Sequence, residues 1–366
     1  MKKLTLICSL LVSQLQQAQQ FHHHTAIDSI LNQKITKAKI PGLAAAILQN
    51  NNIYYGVGGT ISNKSKDLIT HKTLFHIGSN TKAFTSFLAF QAIEKGNLSL
   101  ETSFFSLFPE LKSDANSAYH SITLKELLSH NAQVQPFTSG LESNQIKITK
   151  ETVSDKRIEF AQQLLLLPQV EKGTYSNAGY VLASMMIEKA EEIPFEDLLQ
   201  QYLNNQNWQF SFGFPNRIDE NNAWGHWKEF FILKALPPNH SYSLPDYMLA
   251  AGDLSMNITD YAQWLVQHLN ELQSKDPENA YQKMHYDLGN YSYGWGNTTQ
   301  NNQKMSFHDG STGTFYTHAI LAPEQQIGIT IFANAADEAH VNAIYELQQE
   351  LLAHLKTIVD GHNRKP

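Results

Sequence analysis

The run Phe75-His76-Ile77-Gly78-Ser79-Asn80-Thr81-Lys82-Ala83-Phe84-Thr85 joins a glycine, a serine and a lysine to a series of apolar residues at Ala83, Phe84, Phe87, Leu88, Phe90 and Ile93. That spacing predicts a helix over about residues 80 to 95, stopped near Gly96, with Ser79 at or near its start. Positions three apart in a helix are neighbours on one face, so the Ser79 hydroxyl and the Lys82 amine are held together. A serine hydroxyl is unreactive until a base takes its proton, and a lysine partly shielded from water is neutral enough to serve. A helix start also offers backbone N–H groups to a developing oxyanion. A capping serine followed by a solvated lysine gives the same pattern, so the assignment depends on the rest of the chain.

On the N-terminal side, Ala26 to Lys37 carries Ile27, Ile30, Leu31 and Ile35 at helical spacing, and Gly42 to Leu48 and Asn52 to Val57 read as a hairpin across Gln49-Asn50-Asn51. From about residue 100 to 285 the pattern is helical and loop-rich. Thr123-Leu124-Lys125-Glu126 is a capping box opening a short helix to His130. Further helices are expected over Arg157 to Leu167, ended by Pro168, over Ala178 to Ala190, from Pro194 onward, and over Thr259 to Leu272. Asn204 to Leu244, rich in aromatics, Asn, Pro and Gly, has no clear period and reads as a surface excursion or pocket wall. Lys304 to His308, Phe315 to Leu321 and Gln326 to Ala333 read as strands, and Asp337 to Val359 as a long closing helix. Strands at both ends with helices between them predict an α+β fold: one antiparallel sheet built from the two termini, flanked by helices, with a helical lobe inserted. The expected catalytic domain runs over residues 25–360, its sheet lobe formed by 25–100 and 286–360 and its helical lobe by 101–285.

Composition narrows the function. The 366 residues, 42% hydrophobic and 17% charged, are enough for two lobes with a sizeable core. A net charge of −7 without any basic stripe argues against a nucleic-acid or anionic-membrane partner. Residues 1 to about 20 have the form of a secretory signal, with Lys2-Lys3, an apolar run from Leu4 to Val12 and Ala18 as a candidate cleavage position. The run is too short for a comfortable membrane span, so no stable insertion is expected once it is removed. The single cysteine, Cys8, lies inside it, and a mature chain would hold neither disulfides nor a thiol nucleophile nor cysteine-ligated zinc. The expected location is secreted or periplasmic.

Two further segments carry chemistry. In Gly173-Thr174-Tyr175-Ser176-Asn177-Ala178-Gly179-Tyr180 a phenol and an amide stand two residues apart in a turn before a helix. Facing Ser79, Tyr175 would pass a proton to or from a leaving group, provided that nearby cations lower its pKa from about 10, and Asn177 would hold a substrate amide and orient Lys82. The same residues also suit a packed tyrosine and an N-cap asparagine. In Phe307-His308-Asp309-Gly310-Ser311-Thr312-Gly313-Thr314-Phe315, His308 and Gly310 end a strand edge, and small residues follow that let a substrate backbone approach. An extended substrate would pair with such an edge, and the Ser311 N–H would be a second oxyanion donor beside that of Ser79. Taken alone, this is a Gly-rich hairpin turn.

As a set, S-x-x-K, Y-x-N and H-x-G in this order resemble the serine-reactive penicillin-recognising superfamily: class C β-lactamases, low-molecular-weight D-Ala-D-Ala carboxypeptidases, D-aminopeptidases and related esterases. Ile122 to His130 (ITLKELLSH), Ala251-Gly252-Asp253-Leu254-Ser255-Met256, Tyr293-Gly294-Trp295-Gly296 and Leu321 to Ala333 add to the similarity, which covers about residues 28 to 355. The resemblance implies a β-lactamase-like fold with its pocket between sheet and helical lobe. It makes Ser79 the acylated nucleophile, Lys82 its base partner, Tyr175 the acid/base on the leaving group, Asn177 a substrate-amide contact, and His308 with Gly310 the third-motif edge. Class C relatives commonly carry Lys-Thr-Gly where this chain has His308-Asp309-Gly310. A mostly neutral histidine, and an aspartate if it points inward, favour peptidase or esterase chemistry over hydrolysis of anionic β-lactams. Many relatives follow Leu-Leu-x-His with Thr-Ser-Gly, where this chain has Asn131-Ala132-Gln133, so the loop beside the site is expected to differ.

Competing chemistries find less support. There is no G-x-S-x-G elbow. His71, His76, His226 and His318 occur singly and read as packed or surface groups, and no metal or cofactor is expected. His22-His23-His24 reads as a weak metal-binding tract or a disordered start, and Trp224-Gly225-His226-Trp227 as core packing or a pocket lining. The expected activity is that of a serine hydrolase forming an acyl-enzyme on small amides or esters, with peptidoglycan-derived D-amino-acid peptides as the first guess. A β-lactamase and a non-turnover penicillin-binding or sensor protein are the alternatives.

Overall fold

The computed structural model describes residues 19–139, 145–300 and 302–363; the expected signal segment, apart from its last two residues, lies outside them. In chain order, β1 (Gln20–His23) and α1 (Thr25–Ala38) precede the hairpin of β2 (Gly42–Gln49) and β3 (Asn52–Gly59). A short β4 (Phe75–His76) leads to α2 (Thr81–Glu94). Then come α3 (Phe104–Leu107), α4 (Leu124–Leu128), α5 (Val153–Leu164), α6 (Asn177–Glu191) and α7 (Phe195–Asn205). The expected excursion contains β5 (Phe210–Phe212) and a hairpin of β6 (His226–Glu229) and β7 (Ile232–Ala235). After α8 (Leu249–Gly252), β8 (Leu254–Met256), α9 (Ile258–Glu271) and α10 (Ala280–Tyr286) run β9 (Gly296–Gln300), β10 (Gln303–Ser311), β11 (Tyr316–Ala322), β12 (Ile327–Ala333) and α11 (Glu338–Asn363).

The main sheet has seven strands in the order β1-β3-β2-β12-β11-β10-β9, so both ends of the chain build it. Leu43, Ala45 and Ile47 of β2 face one cluster with Ile27, Leu31, Ile344 and Leu347, while Ala44, Ala46 and Leu48 face the other with Phe84 and Trp264. Both faces of the strand are therefore covered, which is why it reads as an unbroken apolar run rather than an alternating one. Helices α1 and α11 cover the outer face, and α2 and α9 lie between the inner face and the helical region.

Three expectations are corrected. The sheet is mixed, because β1 pairs parallel with β3, Gln20 opposite Asn52 and His23 opposite Tyr55. The histidine tract is thus ordered: His22 hydrogen-bonds Asn52 at 3.1 Å and His23 meets Asp28 at 2.7 Å. Local pattern missed β1 because a four-residue polar edge strand carries no apolar alternation. The Thr123–Glu126 capping box is formed as read. Helix α5 starts at Val153, four residues before the expectation, because Thr152 caps it by accepting from the Asp155 N–H. Among the described residues no helix is long and apolar enough to cross a membrane.

Candidate active site

Ser79 lies in a single 3-10 turn, Gly78–Asn80, directly before α2 rather than within it. The turn is braced from several sides. His76 Nδ1 accepts from the Gly78 N–H at 3.0 Å, and its Nε2 meets Asp253 at 2.8 Å. Thr81 Oγ1 donates to the Gly78 carbonyl at 2.7 Å and accepts from the Leu254 N–H at 3.2 Å. Pairing of β4 with β8, Phe75 opposite Met256, brings the 249–254 segment alongside and with it the Ala251 carbonyl.

Lys82, in the first turn of α2, is fully buried. Its Nζ lies 3.2 Å from Ser79 Oγ and donates to Asn177 Oδ1 and to the Ala251 carbonyl, both at 2.6 Å. Burial pushes the amine well below the ordinary lysine range. A neutral amine has two N–H donors and one lone pair. With two carbonyl oxygens taking the donors, the lone pair is left for the Ser79 hydroxyl.

The second segment arrives through α6, which begins at Asn177. Its N-cap is Ser176, whose Oγ accepts from the Gly179 N–H at 3.0 Å, so Asn177 is free of the capping duty open to it in the sequence. Asn177 Nδ2 donates to the Phe137 carbonyl at 2.9 Å, fixing the amide with Oδ1 toward Lys82. The loop with Asn131-Ala132-Gln133 thus backs this segment, and Val170 and Gln133 tie it down through bonds of 2.9 and 3.0 Å. Tyr175 and Ser79 line the same cavity, and Lys82 Nζ stands 4.7 Å from the tyrosine's ring centre. Burial raises the Tyr175 pKa, and the Ser79 contact only partly opposes this. The expectation of a cation-lowered phenol is therefore corrected: Lys82 is itself desolvated, and Tyr175 keeps its proton at neutral pH.

The third segment is the end of β10. Pairing with β9 stops at Phe307 opposite Gly296, whereas pairing with β11 continues to Ser311, so His308 to Ser311 form an edge. The approach to the serine turn is close enough to demand glycine: a Cβ on Gly310 would stand 1.9 Å from the Ile77 carbonyl oxygen and 3.1 Å from the Ser79 nitrogen. Gly78, at φ +53°, would bring a Cβ to 2.6 Å from the Ser311 nitrogen. The Ser79 and Ser311 amides are thereby set side by side. His308 is buried, and burial first, then the Lys82 amine, lowers its pKa to about 4. Its Nδ1 faces the Asp309 carbonyl at 2.8 Å and its Nε2 the Tyr291 hydroxyl at 3.3 Å. Asp309 turns away from the serine, to His318 at 2.6 Å and the Tyr345 hydroxyl at 2.8 Å, because neighbouring strand residues face opposite sides.

All the expected site residues, Ser79, Lys82, Tyr175, Asn177, His308, Gly310 and Ser311, thus meet in one cleft. Four other participants had no assigned role in the sequence. The Ala251 carbonyl holds Lys82; His130 Nδ1 accepts from the Ser176 N–H at 3.1 Å; Tyr291 stands between His308 and His130; and Tyr242 donates to the Thr312 carbonyl at 2.7 Å. Ala251 and His130 lie inside runs already quoted for their resemblance, and Tyr291 two residues before one. A backbone carbonyl carries no side-chain signal, and a tyrosine reads as core. Burial lowers the His130 pKa well below the ordinary range, with Lys82 and His308 adding to it. Among the described residues no cluster of three or more metal-ligating side chains is found.

Fold and cleft together define a hydrolase of the serine-active, β-lactamase-like class. Solved structures agree on the fold. A class C β-lactamase from Rhodobacter sphaeroides aligns with a TM-score of 0.68 at 19% identity over 90% of this chain and 99% of its own. An octameric penicillin-binding protein homologue from Pyrococcus abyssi aligns at 0.70 and 22% identity over 89% and 77%. By sequence, the chain is 24% identical to a β-lactamase of Escherichia coli K12 over 95% of this chain and 99% of that protein. It is also 24% identical to protein flp of Staphylococcus aureus, over 92% of this chain and 67% of that protein. The chain matches the Beta-lactamase family over residues 27–353 and belongs to it.

Proposed function

We propose that this protein is a serine hydrolase that forms an acyl-enzyme on Ser79 from small amides or esters and releases it to water. The observation that carries the reading is the environment of Lys82: a buried amine, both donors occupied by carbonyl oxygens, 3.2 Å from the Ser79 hydroxyl. In the proposed reaction Lys82 takes the Ser79 proton as Oγ attacks the substrate carbonyl. The oxyanion is held by the Ser79 and Ser311 N–H groups. As the tetrahedral species collapses, Tyr175 gives its proton to the departing oxygen or nitrogen, and the proton held by Lys82 restores the phenol. Water then enters and the same groups act in reverse. Asn177 fixes Lys82 and offers its remaining N–H to the acyl side.

The neutral His308 supports amide and ester substrates over anionic β-lactams, which a cationic third motif would hold better. Export through the segment at residues 1 to about 20 belongs to the same proposal, and N-terminal sequencing of the mature protein tests it. Intact-mass analysis with a fluorophosphonate and a β-lactam, on wild type and Ser79→Ala, tests the nucleophile. A wild-type adduct absent from the variant is expected, transient with the β-lactam. Equal labelling of both proteins refutes the assignment, and a permanent β-lactam adduct without turnover of D-amino-acid amides or acyl esters marks a binder.

A further inference from the structure

Ser79 and Ser311 are shared by two cavities of about 360 Å³ each. One opens on the Asn177 side, against Thr138, Tyr242 and Thr312. The other opens on the Tyr175 side, against Tyr291, Phe307, His308, Asp309 and Tyr316, and wraps the edge that β10 presents beyond Phe307. If Ser79 is acylated as proposed, the group departing past Tyr175 leaves through this second cavity.

Its lining is uniform in charge. Three tyrosine rings and a phenylalanine supply the apolar surface, and His308 is neutral. The carboxylate of Asp309 turns to the other face of the strand, to His318 and Tyr345, and supplies no counter-charge for an anion there either. Among the described residues lining either cavity there is no lysine or arginine. A carboxylate entering the second cavity beside Tyr175 gives up hydration and finds no lysine or arginine in the lining to repay it. An uncharged aryl or alkyl group gains burial against the rings.

We infer that the leaving group is uncharged and apolar or aromatic, the alcohol, phenol or neutral amine part of an ester or amide, and that leaving groups bearing a carboxylate are rejected. This rests on the reading of Ser79 as nucleophile. It narrows the substrate class away from peptides that release a residue with a free C-terminal carboxylate.

Three esters of hippuric acid test it, with benzyl alcohol, 3-carbamoylbenzyl alcohol and 3-carboxybenzyl alcohol as leaving groups. All three are primary alcohols; the second and third match in size and differ in charge. The carbamoyl ester is expected to stay within about threefold of the benzyl ester in kcat/KM, and the carboxylate ester to fall at least about tenfold below both. His308→Lys, which puts a cation on the same edge, is expected to narrow the gap between the charged and uncharged esters. A carboxylate ester less than about tenfold poorer than the carbamoyl ester in the wild type overturns the inference. So does a carbamoyl ester as poor as the carboxylate, which would point to size. If no ester is hydrolysed, the inference falls, and fluorophosphonate labelling at Ser79 decides separately whether the nucleophile reading falls with it.

Discussion

The surroundings of Lys82 suit it to the base role proposed for it. Its neutral form satisfies two carbonyl oxygens and leaves a lone pair over Ser79, whereas its charged form bears the cost of enclosure. Lys82→Arg puts a permanent cation in place of the neutral amine, with no lone pair to take the Ser79 proton, so acylation is expected to slow by about a thousandfold or more, measured by the rate of adduct formation. Undiminished acylation would contradict the base assignment. Since the rate falls as Lys82 becomes protonated, the acid limb of the wild-type pH profile should lie well below the ordinary lysine value of 10.5. His130 acts at one remove. Its Nδ1 lone pair holds the Ser176 N–H, a role open only to the neutral ring. His130→Ala leaves that buried N–H unpaired, at a cost of about 1–3 kcal/mol, and loosens the Tyr175 turn. The expected signature is a fall in kcat larger than any rise in KM, partly restored by His130→Asn, whose Oδ1 can take the place of Nδ1.

At the scale of elements, the cleft depends on β10 lying against the turn that carries Ser79. Gly310→Ala would drive a methyl into the Ile77 carbonyl, so strand and turn must separate. A loss of about 1–3 kcal/mol is expected in denaturant unfolding, together with loss of acylation, because the Ser311 amide moves away from Ser79. Helices α5, α6 and α7 are joined differently, through the fully buried Arg157, which meets Glu188 at 3.1 Å and also pairs with Glu196. Arg157→Ala strands both partly exposed carboxylates against a void. It is expected to cost about 3–5 kcal/mol by the same measurement while leaving the Ser79–Lys82 distance unaltered. A change within about 0.5 kcal/mol would show the cluster to be dispensable.

The whole molecule carries an acid liability. Burial lowers His226 to about 4, His268 to about 3 and His308 to about 4. Unfolded histidines titrate near about 6.5, so between that value and the folded ones the unfolded chain binds protons that the folded chain does not. Stability is therefore fully present above about pH 6.5 and is lost as the pH falls toward about 4. Denaturant unfolding at stepped pH should show net proton uptake approaching three from these residues near about pH 5, and a flat profile across that window would contradict their neutral burial.

The sequence by itself determined the pieces: the helix behind Lys82, the apolar strands at both ends, the capping box at Thr123, and the three motif segments in their order. These are local matters, set by periodicity, capping and residue type, and they were enough to indicate the family and the fold class. Only the tertiary structure decided what the pieces do to one another. The proton left on Tyr175, the carbonyl of Ala251 on Lys82, the outward turn of Asp309 and the parallel edge at Gln20–His23 come from burial and from contacts between residues far apart in the chain. Desolvation is a property of the space around an atom, and chain pattern does not record it.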